Sequence, residues 1–247
     1  MSGKVALITG GTGGIGTAVC KRLCEQDRRV VAGHLPVEED AARAWREQRQ
    51  HEGFDVAVVA GDVSSFASCS EMVGKVQDRI GPVDILVNCA GITRDTTLRN
   101  MEKAQWESVL STNLSSVFNV TRQVLDSMIR HGFGRIVNIS SVNGQKGQFG
   151  QTNYAAAKAG VHGMTMALAQ EVADQGITVN TVSPGYVATD MTMAMPEEIL
   201  AAIIEQIPMG RMAQAQEVAH VVTFLTADET SYVTGANLPV NGGLYMY

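Results

Sequence analysis

The chain has 247 residues, 45% of them hydrophobic and 18% charged, enough to bury the core of a single compact α/β domain, and no linker divides it. Its formal net charge of −6, with the cations dispersed, argues against nucleic acid or an anionic membrane surface as a partner. The first apolar run, residues 5–8, is far too short for a signal peptide or a membrane span, so the chain is expected in the cytoplasm.

In chain order, short β-branched runs alternate with helical patterns. Val5 to Ile8 reads as a strand and opens into Thr9-Gly10-Gly11-Thr12-Gly13-Gly14-Ile15-Gly16, with a helix over 15–26. Glycines at 10, 14 and 16 after a buried strand permit a tight turn, close approach of backbone to a pyrophosphate, and tight packing of the next helix. Val30 to Ala32 is the second strand. After it come Gly33 and His34, and then the acidic run Glu38-Glu39-Asp40 opening a helix over 38–51, in the region that reads the 2′ position of an adenosine ribose in such folds. The third strand, Val56 to Val59, precedes Asp62-Val63, placed either for a carboxylate to accept from an adenine amino group or for Ser64 or Ser65 to cap the helix over 65–79. Ile85 to Val87 leads to Asn88-Cys89-Ala90-Gly91 and a long helix over 102–131. Ile136 to Ile139, a helix over 152–174, Thr178 to Val182, a helix over 214–227 and Leu238 to Val240 complete the pattern. Seven strands alternating with helices imply one doubly wound parallel sheet, a single-domain Rossmann fold over 1–247.

The stretch from Ser140 to Lys158 carries the chemistry. Tyr154 and Lys158 lie four apart, on one face of a helix, and the Ser141 hydroxyl, thirteen residues upstream of the phenol, can reach the same carbonyl if a strand end delivers it. A free tyrosine has a pKa of roughly 10, so acid–base work near neutrality needs a nearby cation to favour the phenolate by about three units, or about 4 kcal/mol, and Lys158 is positioned to supply that charge. No metal centre is expected: Cys20, Cys24, Cys69 and Cys89 form no CxxC pair and have no histidine at ligand spacing.

The glycine-rich turn, Asn88-Cys89-Ala90-Gly91, Asn113, Ser141, Tyr154, Lys158 and Pro184-Gly185 fall in order at the intervals of the short-chain dehydrogenase/reductases, and the chain resembles that family along its whole length. Within it, the segment from Ser140 through Val142-Asn143-Gly144-Gln145-Lys146 to Tyr154 is similar to the acetoacetyl-CoA reductases of polyhydroxybutyrate synthesis, and next to the 3-oxoacyl-[acyl-carrier-protein] reductases. The resemblance implies that Tyr154 donates a proton to the 3-keto oxygen of acetoacetyl-CoA as hydride arrives, giving the (R)-3-hydroxyacyl thioester, while Ser141 holds that oxygen. It makes Lys158 a partner of both the phenol and the nicotinamide ribose, and Asn113 the anchor of a water leading to solvent. Cofactor contacts are implied for Gly10, Gly13, Gly14, Ile15, Gly16, Gly33, His34, Asp62, Val63, Asn88, Ala90, Gly91, Tyr154, Lys158, Pro184, Gly185, Val187 and Thr189. Substrate contacts are implied for Asp95, Ser141, Gln148, Phe149, Gln151, Tyr154 and Tyr186, with residues 189–215 as a lid and a homotetramer as the assembled form.

Two features bear on specificity. The usual second asparagine after the fourth strand is Cys89 here, for which little functional effect is expected. NADPH-preferring relatives place cations near the ribose; this chain has Gly13 in the loop and carboxylates at Glu38, Glu39 and Asp40, which lean toward NADH and leave NADPH open. A reductase acting on carrier protein would want a basic rim for an acidic partner; Arg130 is present, but Asp174-Gln175 stands where relatives often carry a second cation, which favours coenzyme A. A protein that binds dinucleotide without turnover has no chemical need for Asn113, Ser141, Tyr154 and Lys158 together.

Overall fold

A computed structural model of the chain describes residues 3–193 and 195–246; Met1, Ser2 and Tyr247 of the expected domain and Ala194 of the expected lid lie outside the described residues. Seven strands, β1 (Val5–Thr9), β2 (Arg29–His34), β3 (Val56–Ala60), β4 (Val83–Asn88), β5 (Gly134–Ile139), β6 (Ile177–Pro184) and β7 (Asn237–Val240), form one parallel sheet in the order β3-β2-β1-β4-β5-β6-β7. Each coincides with a run expected from the sequence, lengthened by one to three residues. The β1, β5 and β6 side chains are buried throughout, because helices cover both faces of the sheet and leave no solvent side to alternate toward.

The helices are α1 (Gly14–Cys24), α2 (Glu39–His51), α3 (Phe66–Arg79), α4 (Lys103–Leu110), α5 (Ser116–His131), α6 (Asn143–Lys146), α7 (Thr152–Val172), α8 (Asp190–Met193), α9 (Glu197–Gln206) and α10 (Ala215–Thr226). On one face Val19, Leu23, Val218, Val222 and Leu225 of α1 and α10 pack on Ile8, Ile85 and Val137. On the other, Met72, Val76, Val124, Met128 and Val172 of α3, α5 and α7 pack on Leu7, Leu86 and Ile136. Each such fully buried aliphatic side chain contributes about 1.5–3 kcal/mol. The chain runs from β1 to β2 on one side and returns through β4 on the other, Leu7 pairing with Val31 and with Leu86. The loops after β1 and β4 therefore part at the C-terminal edge of the sheet, which opens a crevice there.

The long helix expected over 102–131 is continuous, but not uniform. Between α4 and α5, Ser111–Ser115 widen into a π turn in which the Ser116 N–H reaches back five residues to the Ser111 carbonyl. The Asn113 carboxamide donates to the Val109 and Ile92 carbonyls, each at 2.9 Å, and accepts from the Ile92 N–H at 3.1 Å. That side chain competes for backbone partners inside the helix, the local reason the ladder slips by one residue here.

Candidate active site

The site residues expected from sequence lie on strand ends, loops and helix turns at the C-terminal edge of the sheet. The glycine turn is as tight as its composition demands: Gly10 has a φ of +62°, and a Cβ there would lie 2.9 Å from the Ala90 Cα in the loop after β4. Thr9 Oγ accepts from the Cys89 and Ala90 N–H groups, fixing the two loops together. Gly13 is the N-cap of α1 and supplies no side-chain cap, and no acidic residue sits in the first turn. The N–H groups of Gly14, Ile15 and Gly16 thus form an uncapped positive helix end, which fits a dinucleotide pyrophosphate. The far wall is close: a Cβ on Gly14 would lie 2.7 Å from Thr189 Cγ2.

At the ribose side, Gly33 closes onto the turn through a Gly11 N–H bond to its carbonyl at 3.0 Å. His34 is buried, with Nδ1 2.9 Å from the Leu35 carbonyl and Nε2 3.6 Å from the Glu39 carboxylate. Glu38, Glu39 and Asp40 are exposed; the last two begin α2, where a helix dipole favours acidic residues. Of the two readings of the Asp62 segment, the cap is seen: Ser65 caps α3, accepting from the Ser68 N–H at 3.3 Å, while Asp62 Oδ1 accepts from the Ser64 N–H and hydroxyl. Val63 is buried, its carbonyl bonded by Asn119 of α5.

Asn88 differs from expectation. Its side chain does not face the crevice but turns inward, donating to Asn138 Oδ1 at 2.8 Å and to Thr121 Oγ1 at 3.3 Å. Asn138 continues to Thr165, which also accepts from Thr181, so the Asn88 amide belongs to a buried polar chain that stitches β4, β5, β6, α5 and α7.

The end of β5 gathers Ser141, Tyr154 and Lys158. The Ile139 carbonyl accepts from Lys158 Nζ at 2.8 Å, Ser140 Oγ donates to the Lys158 carbonyl at 2.9 Å, and Ser141 Oγ accepts from the Asn143 N–H at 3.1 Å. Asn153, wholly buried, ties the start of α7 to the Arg94 carbonyl and accepts from the Tyr154 N–H. Gly91 fits between Asn113 and the lysine: a Cβ there would stand 2.6 Å from Asn113 Oδ1 and 3.6 Å from Lys158 Nζ. With all its polar atoms bonded to protein, the Asn113 side chain braces the loop that carries Gly91.

The charge balance is not the one expected from spacing. Burial pushes the Tyr154 phenol up to about 12, the Ser141 hydrogen bond opposes the rise, and the Asp95 carboxylate adds to it. Lys158 does not hold it down: Nζ lies 5.7 Å from the Tyr154 ring centroid, and burial lowers the ammonium itself to about 8. Desolvation outweighs a cation that is bonded to a backbone carbonyl. In the protein alone, Tyr154 is therefore a firmly protonated donor beside a readily deprotonated lysine.

Around this centre, Gln151 links Asn143 to Asp95, and burial raises the Tyr186 phenol, with Asp95 adding to the effect. Gln148 accepts from Lys146 Nζ, and Phe149 is 87% exposed on a turn between Gly147 and Gly150, both in the left-handed region. Pro184 ends β6, and Gly185 packs on Asn241. The two ends of the segment expected as a lid are tied together: Val187 bridges Ala213, and Tyr186 and Ala188 bond the same residue through their backbones. Thr189 Oγ1 lies 3.2 Å from Thr192 Oγ1. Thr9, Asn143 and Asn153 escaped the sequence reading; a lone polar residue beside a motif carries no periodicity to mark it. Among the described residues there is no cluster of potential metal ligands and no helix long and apolar enough to cross a membrane.

Comparison with known proteins agrees with this construction. The family model for short chain dehydrogenases matches residues 4–200. The chain is 60% identical to an acetoacetyl-CoA reductase of Allochromatium vinosum, over 99% of each chain. It is 52% identical to an acetoacetyl-CoA reductase of Cupriavidus necator, over the full length of both. It is 44% identical to a 3-oxoacyl-[acyl-carrier-protein] reductase of Escherichia coli, over 99% of this chain and 98% of that one.

Proposed function

The chain belongs to the short chain dehydrogenase family, and on that premise we propose that it reduces acetoacetyl-CoA to (R)-3-hydroxybutyryl-CoA, supplying polyhydroxybutyrate synthesis. The observation that carries this reading is the meeting of Ser141, Tyr154 and Lys158 beside an uncapped glycine-rich helix end at the switch point of the sheet. A bound nicotinamide supplies the hydride.

The protein's own groups divide the remaining work. The Asn143 N–H occupies one lone pair of Ser141 Oγ, and the Ser141 hydroxyl, bonded to Tyr154 in the protein alone, turns its proton to the substrate keto oxygen when that oxygen enters. Tyr154, held protonated by burial, gives its proton to that oxygen as negative charge develops. Lys158, bonded to the Ile139 carbonyl, offers its remaining donors to the ribose hydroxyls. Asn113 keeps the Gly91 loop, and with it the nicotinamide pocket, in register with Lys158. Gln148, Phe149 and Tyr186 line the thioester side, under a lid over 189–215.

NADH is the proposed cofactor, because Glu39 stands beside His34 at the end of β2, with Glu38 and Asp40 next to it, and a 2′-phosphate there would meet like charge. Homotetramers in the cytoplasm are the proposed form. Phe118 and Ile129 on α5 and Met166 on α7 are each more than a third exposed, which supports association through these helices. Initial rates with acetoacetyl-CoA and with acetoacetyl carrier protein, each with NADH and NADPH, test the reading. The CoA thioester with NADH should have the highest specificity constant; a higher value for the carrier-protein thioester makes the chain a 3-oxoacyl-[acyl-carrier-protein] reductase instead.

A further inference from the structure

Asn143 has no part in the scheme above beyond its backbone N–H, yet its side chain is 8% exposed and its Oδ1 has no hydrogen-bond partner among the described residues. A buried amide oxygen left alone costs about 1–3 kcal/mol, so its orientation needs a cause. The cause is two residues away. Asp95 is a carboxylate and can only accept, so the Gln151 group 2.7 Å from it must be the donating Nε2. Gln151 Oε1 then faces Asn143 at 2.9 Å and must receive a donor, which can only be Nδ2. The Asn143 oxygen is left over. A charge at Asp95 thus fixes two amides in turn and leaves an acceptor buried beside Ser141.

The chemistry of the substrate indicates what such an acceptor meets. An acetoacetyl group carries only a methyl, a methylene and two carbonyls, none of them a hydrogen-bond donor. The first donor along the molecule is the amide N–H of the cysteamine arm, two carbons beyond the thioester sulfur. Ser141, a donor, suits the keto oxygen; Asn143, an acceptor held two residues farther along the same turn, suits the arm. We propose that Asn143 Oδ1 accepts a hydrogen bond from the cysteamine amide of the thioester and, with Ser141, sets how far the acyl chain enters the site. The inference rests on the proposed thioester reductase activity. Because coenzyme A and carrier protein share this amide, Asn143 reads the arm and not the carrier.

Two synthetic thioesters isolate the contact: acetoacetyl-N-acetylcysteamine, which keeps the amide, and S-pentyl acetothioacetate, which lacks it. The quantity to follow is the ratio of their specificity constants, which cancels any general damage to the site. Asn143→Leu should lower the ratio about tenfold, mostly through KM. Asp95→Asn, an exposed change that leaves folding untouched, frees both amides to turn and should lower the ratio about threefold; it decides the matter if Asn143→Leu does not fold. A parent-like ratio in the deciding variant overturns the inference. Failure of the parent protein to reduce either thioester overturns the reading of its function instead, so the two failures are separable.

Discussion

Strand β5 buries a cation at each of its ends, and the two are treated differently. At its N-terminal end Arg135, 3% exposed, donates to the carbonyls of Gly134, Gly176, Ala227 and Asp228 and lies 4.4 Å from the Phe133 ring centroid. At its C-terminal end Lys158, 4% exposed, has the Ile139 carbonyl as its hydrogen-bond acceptor and is depressed to about 8 by burial. The first charge closes the bottom of the sheet, collecting carbonyls that helix and strand ends leave over. The second is held short of partners, so its remaining donors are available to a ligand and its proton is loosely bound. A buried cation with a full set of acceptors marks structure; one kept hungry marks chemistry.

The contrast is broken most severely by removing the proton donor next to the hungry charge. Tyr154→Phe should lower kcat at least a thousandfold while cofactor affinity, read by nucleotide fluorescence, changes less than about threefold. Turnover within tenfold of the parent would end the assignment of the acid. The next largest effect belongs to the other end. Arg135→Met should cost about 4 kcal/mol in urea unfolding, because four carbonyls lose their donor, with kcat of the folded protein unchanged.

Lys158→Met should act in the opposite sense, abolishing reduction but raising stability at pH 7 by about 2 kcal/mol, since it removes an underpaired buried charge. The pH dependence carries its signature. Between about 8 and the ordinary lysine value of 10.5 the unfolded chain binds the Lys158 proton more tightly than the folded one, so the parent gains stability as pH rises through that window. The variant's advantage should shrink across it; a constant difference would show that burial does not depress the Lys158 pKa below that of the unfolded chain. The smallest effect asks whether charges at the open rim behave like buried ones. Replacing Glu38, Glu39 and Asp40 with Gln, Gln and Asn should raise the NADPH-to-NADH ratio of specificity constants about fivefold, or about 1 kcal/mol, at low salt, fading as salt is added.

The architecture was legible in the sequence because β1, β5 and β6 are wholly buried runs rich in β-branched residues, punctuated by glycine or a polar turn, and burial on both faces needs no register information. The proposed catalytic groups were legible because a fixed helical spacing puts Tyr154 and Lys158 on one face. What escaped depends on three-dimensional competition. The inward turn of Asn88 is decided by Asn138 and Thr121, 50 and 33 residues away. The rise of the Tyr154 pKa is decided by how much water the surrounding loops exclude, a quantity no spacing records. Asn143 was invisible for a related reason: its orientation is dictated through Gln151 by Asp95, 48 residues upstream along the chain.

The π turn at Ser111–Ser115 has an implication for how this chain tolerates length change. A π turn holds one residue more than the helix around it requires, so the surplus is absorbed locally and the flanking turns keep their facing. Deleting Thr112 should let α4 and α5 join as one regular α-helix without the roughly 100° rotation that losing a residue from an ordinary helix imposes on everything after it. Val120, Val124 and Met128 would stay on the core while the Asn113 brace of Gly91 disappeared. At this one place, a deletion separates heredity of the fold from heredity of the reaction.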